Sequence, residues 1–244
     1  MVRIPQRKYC TDVTWLGRAD CRHCNIRQLM MFSGLPEPAF EDVLAPIENF
    51  CYPAATVLFE EGKRDKGVFS IRSGIIKLVS LTSDGTQRIV SLLGRGGAIG
   101  LELLENNERY RQTAIALTPV DVCQIPMPTM VQLDARYPQL CQQVRSRLQE
   151  ALDRADQWIV TLGSGPARKR IANLLLLMLD LGNDPHDAVE LLAREDMAAI
   201  IGSSVETASR VIAELKRQDI LRKTGTHRHW CDVKALESIA RENR

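Results

Sequence analysis

Glu206, Ser209 and Arg210 fall at i, i+3 and i+4 of a helically patterned stretch, so they share one face. An acceptor carboxylate, a hydroxyl that can do either and a guanidinium fork that donates twice suit the edges of base pairs in a major groove. Ser204 and Thr207 join them as candidate DNA contacts at the start of the same stretch. Val205, Ala208, Ile212 and Leu215 form the opposite, apolar face. A plainer reading stands beside this one: Ser203-x-x-Glu206 also fits a capping box, and Glu206 with Arg210 a surface ion pair.

Sulfur is the other candidate chemistry. The chain has seven cysteines, and Cys21-x-x-Cys24 has the spacing that lets two thiolates reach one metal or cluster. The N-terminus MVRIPQRKYC lacks the apolar core of a signal peptide, so a cytoplasmic location is expected. There, cysteines point to metal, redox or packing roles before disulfides. Cys51, Cys141 and Cys231 read as small packing residues. No His–carboxylate pairing at metal spacing, nucleophile elbow or P-loop is found, so no enzyme is expected.

These residues need elements to hold them. At 244 residues and 45% apolar content the chain can build one large domain or two ordinary ones, and its formal charge of +2 does not by itself imply nucleic acid. No apolar run reaches the ~18 residues of a membrane span. Arg194–Lys216 reads as two short helices joined by a turn at Gly202-Ser203, with Ser203 capping the second. Leu221–Arg228 reads as strand, Gly turn, strand, a wing with basic residues at its tip. Between Ser203 and Trp230 six Lys/Arg face three acids, which concentrates positive charge where phosphates would lie; Lys216, Arg222, Lys223 and Arg228 are the candidates for that contact. His227 and His229 fall in the wing and are expected at solvent or phosphate.

Upstream, short apolar runs at Thr56–Phe59, Val68–Ile71, Ile75–Leu81, Arg88–Leu93, Thr113–Leu117 and Val120–Ile125 alternate with Gly turns, the pattern of an antiparallel barrel or sandwich. Residues 1–33 look irregular, and Pro38–Ile47 looks like a short amphipathic helix. A long helix is expected from about Ala135 to Leu162. Along it Tyr137, Cys141, Val144, Leu148, Ala151, Ala155, Trp158 and Leu162 are spaced 4,3,4,3,4,3,4, a heptad seam. That seam suits either a parallel homodimer or packing on the chain's own barrel, and the homodimer is the expectation, with Val144, Leu148, Ala151, Ala155, Trp158 and Leu162 at its interface. A two-fold dimer would present two reading helices about 34 Å apart. Gly163–Pro166 reads as a hinge, the apolar run within the next helix as the C-terminal core, and Asp232 as the cap of a last helix. The expected division is 1–33, a cysteine-containing segment; 34–134, a sensory β domain; 135–163, the dimerisation helix; and 164–244, the DNA-binding domain.

This order resembles the Crp/Fnr family of bacterial transcription regulators over nearly the whole chain. Val68–Lys77 (VFSIRSGIIK) is similar to the family's barrel signature, and Val205–Arg210 (VETASR) matches the E-x-x-S-R recognition-helix pattern of its Fnr branch. The resemblance implies an α+β fold: an N-terminal antiparallel β-roll (a cyclic-nucleotide-binding-like jelly roll), a long dimerisation helix and a C-terminal winged helix-turn-helix. It implies a double-stranded DNA site like TTGAT-N4-ATCAA. It places Ser83-Asp84-Gly85 on a surface used to contact RNA polymerase, where the residues alone read equally as a hairpin turn. Cyclic-nucleotide binders of the family use a Gly-Glu pair and Arg-Ser/Thr-Ala; here Ala98 and Gln112 stand at those charged positions, with Arg111 one residue off, which argues against nucleotide. The Fnr branch binds a 4Fe–4S cluster through four cysteines. Cys21, Cys24 and Cys123 match three of them, and the fourth falls at Met30, a thioether. Cys10 or His23 could then supply the last ligand. The leading expectation is a homodimeric DNA-binding regulator responding to oxygen or redox state through this cluster. The alternatives are the same regulator sensing by thiol oxidation or a small ligand, and an iron–sulfur electron carrier or enzyme without a DNA role.

Overall fold

A computed structural model describes residues 10–21, 23–24, 26–30, 32–33, 35, 46–64, 67–81, 87–105, 109–182, 186–225 and 228–242. The β-rich part has Thr14–Arg18 (β1), Glu48–Tyr52 (β2), Val57–Phe59 (β3), Val68–Ser73 (β4), Ile76–Leu81 (β5), Gln87–Leu93 (β6), Ala98–Ile99 (β7), Thr113–Ala116 (β8) and Val120–Ile125 (β9). They form two sheets, β1-β2-β9-β4-β7 and β3-β8-β5-β6, so the expected β-roll is present. β1, β2 and β7 lie beyond the expected strands or at their margin.

The alternation of β4 and β9 decides how this part is built. Phe69, Ile71, Val120 and Val122 point between the sheets and pack with Leu58, Phe59, Leu93 and Tyr110. Phe59 stacks on Tyr110 with ring centroids 3.7 Å apart. Val68, Cys123 and Ile125 point the other way, where they are covered by Ile26, Met30, Phe32 and Leu35 of the N-terminal segment and by helical residues Met130, Leu133 and Leu140. The five-stranded sheet is thus buried on both faces, and this second face carries the cysteines.

Two helices follow, Met127–Arg136 (α1) and Gln139–Leu162 (α2). The single helix expected from Ala135 is broken at Tyr137, whose φ of −130° and ψ of 84° end α1. Pro138 is the reason: it lacks an N–H and drives the residue before it out of the helical region. The C-terminal part comprises Ala167–Gly182 (α3), Ala188–Glu190 (β10), Arg194–Ile201 (α4), Val205–Arg217 (α5), Leu221–Lys223 (β11), Arg228–Cys231 (β12) and Val233–Arg241 (α6). Its strands form the sheet β10-β12-β11. Asp232 caps α6, its carboxylate accepting from the Ala235 N–H at 3.1 Å. The chain divides into two compact units, Met1–Ser80 with Leu92–Ala151 and Leu81–Ser91 with Leu152–Arg244. Most of the expected helix Pro38–Ile47 and all of Ser83-Asp84-Gly85 lie outside the described residues.

Candidate nucleic-acid interface and thiol cavity

α4 and α5 are joined at Gly202, which closes α4 in the left-handed region with φ of +59°. Arg170 of α3 donates to the Ile201 carbonyl beside it, pinning the turn. Ser204, not Ser203, caps α5: its hydroxyl accepts from the Thr207 N–H at 3.2 Å. A capping box on Ser203 is therefore not formed; the chain is still turning there, its N–H bonded to Ala198 O at 3.0 Å. Ala208, Val211, Ile212 and Leu215 are buried, so the amphipathic reading of this helix holds with Val211 added. Arg168 of α3 fixes the far end of α5, lying 3.3 Å from Glu214 and donating to Gln218 at 3.0 Å.

The other face of α5 is open. Glu206 and Arg210 are exposed, and Thr207 and Ser209 partly so. Hydrogen bonds at its own backbone and to the Ser204 hydroxyl hold the Glu206 carboxyl below its ordinary range. Among the described residues Arg210 has no ion-pair or hydrogen-bond partner. Lys216 is held below the ordinary lysine range by partial burial and then by the cations Arg194 and Lys223. Arg194 has no counterpart among the expected contacts. It sits on a different helix from Lys216, and only the fold brings the two together. Arg222 lies 3.5 Å from Asp219 and packs over Trp230 at 5.2 Å, and Arg228 is half-buried. His229 corrects the expectation of a solvent contact: it is 5% exposed, on the inward face of β12. His227 lies outside the described residues.

Cys21, Cys24 and Cys123 line one cavity of about 20 Å³, with Met30, Asn49, Arg27 and Arg72 in the same wall. Burial pushes the Cys123 thiol up to about 12 and the Cys21 thiol up to about 11, while Arg72 pulls both down. The Cys123 thiol donates to Asn49 Oδ1 at 3.0 Å. Cys10 corrects the expectation of a fourth ligand. It is bonded to Cys51 in a disulfide, with Cα atoms 6.4 Å apart, so its sulfur has no thiolate to offer. Cys51 is buried at 3% exposure, as expected of a packing residue, and is also the disulfide partner of Cys10. Cys141 differs from a packing residue, donating to Asp134 Oδ1 at 2.8 Å, whereas Cys231 is fully buried. His23 points away, its Nδ1 2.9 Å from Asp20 and its ring exposed.

A single metal ion does not fit this set as it stands: among the described residues no three His, Cys, Asp or Glu side chains converge to hold one. The donor chemistry suits an iron–sulfur cluster better. Three soft sulfurs line the cavity together with Arg27 and Arg72, whose charges would suit an anionic cluster. The Ser70 hydroxyl, buried on the same face of the sheet, has no hydrogen-bond partner among the described residues.

A family profile described as cyclic nucleotide-binding domain matches residues 50–137, and one described as Crp-like helix-turn-helix domain matches residues 169–239. The "Fumarate and nitrate reduction regulatory protein" of Yersinia pestis is 26% identical over 97% of both chains, and that of Escherichia coli strain K12 is 26% identical over 99% of this chain and 98% of its own. The chain belongs to the Crp/Fnr family. It is accordingly a DNA-binding transcription regulator of the Crp/Fnr type. Among solved Crp/Fnr-like structures, FixK2 from Bradyrhizobium japonicum shares the fold with a TM-score of 0.70 at 21% identity, covering 81% of this chain and 99% of that one. TTHB099, a transcriptional regulator of the CRP family from Thermus thermophilus, has a TM-score of 0.67 at 25% identity, covering 79% and 96%.

The long helix of this Crp/Fnr chain does not present the expected seam outward. Val144 and Leu148 pack against the core beneath the chain's own five-stranded sheet. Leu162 is buried, Trp158 is half-buried, and only Ala151 and Ala155 are exposed. The apolar residues that face out are Leu152 at 61%, Ile159 at 66% and Val160 at 68%. The outward stripe is rotated by one residue: Leu152 and Ile159 replace Ala151 and Trp158.

Proposed function

We propose that this regulator binds a palindromic site like TTGAT-N4-ATCAA as a homodimer and responds to oxygen or redox state through an iron–sulfur cluster held by Cys21, Cys24 and Cys123. One observation carries the reading: cysteines from the N-terminal segment and from β9 line a single cavity flanked by Arg27 and Arg72. Such a cluster supplies an oxygen-labile centre whose loss changes the shape of its surroundings. The segment with Cys21 and Cys24 lines the cavity, so a bound cluster would bear on it directly. That segment also carries Leu29, whose carbonyl accepts from Arg147 of α2 at 2.5 Å. A shift of that segment would strain this bond, and a long helix that feels the cavity's state can shift the population that spaces two reading helices correctly. With three cysteines on the cavity, a fourth ligand would have to come from Met30 or from outside the chain. The interior of the β-roll is filled by Phe59, Phe69, Leu93 and Tyr110, which supports a signal other than cyclic nucleotide.

A second reading has its own observation, the Cys10–Cys51 bond. Thiol oxidation there ties the start of β1 to β2 and could itself be the signal. Anaerobic reconstitution with iron and sulfide separates the two. Iron and sulfide near four each per chain, with tighter binding to the palindrome that is lost in air, supports the cluster. A protein that takes up no iron under strict anaerobiosis, yet binds DNA differently with and without a thiol reductant, overturns it in favour of the disulfide.

A further inference from the structure

Three polar side chains form a row across neighbouring strands. Asn49 of β2 stands opposite Cys123 of β9, and Ser70 of β4 stands opposite Cys123 from the other side. Directly opposed residues of antiparallel strands share a face. Here it is the face toward the thiol cavity, because Cys123 packs with Ile26 and Met30 while its neighbour Val122 points between the sheets. Both flanking residues are buried, Asn49 at 8% and Ser70 at 1% exposure.

The hydrogen bonding of this row is half-complete. A neutral thiol has one proton, and Cys123 gives it to Asn49 Oδ1 at 3.0 Å. Neutral sulfur is a weak acceptor, and the Ser70 hydroxyl is left without a partner. A metal-bound thiolate reverses both conditions. It has no proton to give and enough negative charge to accept several hydrogen bonds. Ser70 can then donate to it once its hydroxyl turns toward the sulfur, and Asn49 once its amide turns Nδ2 toward it.

We infer that Asn49 and Ser70 are positioning residues for the metal-bound sulfur of Cys123, a pair of donors set on either side of it in the sheet. The inference rests on the reading of this cavity as an iron–sulfur site. Hydrogen bonds to ligand sulfur steady a cluster and raise its reduction potential. Removing one therefore favours the oxidised form and hastens loss in air.

The full chain, reconstituted anaerobically with ferrous iron and sulfide, tests this in three forms: wild type, Ser70→Ala and Asn49→Asp. The unloaded Ser70→Ala protein should melt at or above the wild-type temperature, since the change deletes an unsatisfied buried hydroxyl. Once loaded, it should lose its visible absorbance in air about three- to tenfold faster, the size of effect one such bond has. Asn49→Asp keeps the shape and still accepts the thiol proton, but places a carboxylate against the thiolate. It should fold and fail to retain iron. Cadmium titration, followed by sulfur-to-cadmium absorption, reports thiolate ligation independently of cluster assembly. If wild type takes up neither iron and sulfide nor cadmium, both the site reading and this inference fall. If wild type loads and Ser70→Ala matches it in iron content and lifetime, the site reading stands and this inference falls. A Ser70→Ala protein destabilised equally with and without the cluster also overturns it, since that marks a purely structural hydroxyl.

Discussion

Arg210 is exposed and has no partner among the described residues, so a base need not displace another contact to reach it. A bidentate pair from such a fork to guanine discriminates by about 1–3 kcal/mol. Arg210→Ala should lose most of the preference for the palindrome over a scrambled duplex while leaving folding unchanged; full preference in a competition assay would remove this face from the bases. Lys216 belongs to a different class. Arg194 and Lys223 already crowd it, and a phosphate among the three relieves that repulsion. Lys216→Ala should weaken all sequences alike and lower the slope of log affinity against log salt by about one per protomer. Residues on one helix were legible in the sequence, because Glu206, Ser209 and Arg210 need only the 3.6-residue repeat to be grouped. Arg194 was not, because its neighbours come from α5 and β11. The Cys10–Cys51 pair was hidden for the same reason: no local pattern brings residue 10 beside β2.

At the scale of elements, the strands and helices with a clear apolar alternation or helical repeat announced themselves, and those without one were missed or misjudged. β4, β5, β6, β8 and β9 alternate or run apolar because they line the core. β1 is an edge strand with Trp15 exposed and an irregularity of register between Trp15 and Gly17, so its five residues have no burial pattern to read. Pro138 was in plain view, but the heptad spacing ran across it, and periodicity is blind to a missing N–H. The turn between α4 and α5 rests on a backbone constraint that the sequence does show. A Cβ at Gly202 would meet nothing nearer than Arg170 Nη1 at 3.9 Å, so space is not what excludes a side chain; the φ of +59° is. Gly202→Ala should cost about 1–2 kcal/mol, Gly202→Asn less, and Gly202→Val more, as read by thermal unfolding. Equal melting temperatures for Asn and Val at this position would show that the turn relaxes out of the left-handed region.

At the scale of the whole molecule, the proposed homodimer needs one stripe of α2 to meet a second copy. The heptad alternation can run from Leu148 through Leu152, Ala155 and Ile159 to Leu162 as well as through Ala151, Ala155 and Trp158, the two stripes differing at two positions. Sequence periodicity cannot choose between them. Burial can at the positions where they differ, because Trp158 is half-buried whereas Leu152 and Ile159 are exposed. A charge at Leu148 would disturb the chain's own packing, so loss of the dimer there would say little about the seam. Ile159→Glu is the cleaner probe. In a single copy the new carboxylate stands in water and the fold is undisturbed. In a two-fold pair it faces its own mate across an apolar seam, where like charges are both desolvated and repelled. The variant should sediment as a monomer, retain its wild-type far-ultraviolet spectrum, and bind a full palindrome no better than a half-site, since a lone copy has one reading helix to offer. A variant that still sediments as a dimer would place the two-fold contact on another surface and leave Leu152 and Ile159 without a role in assembly.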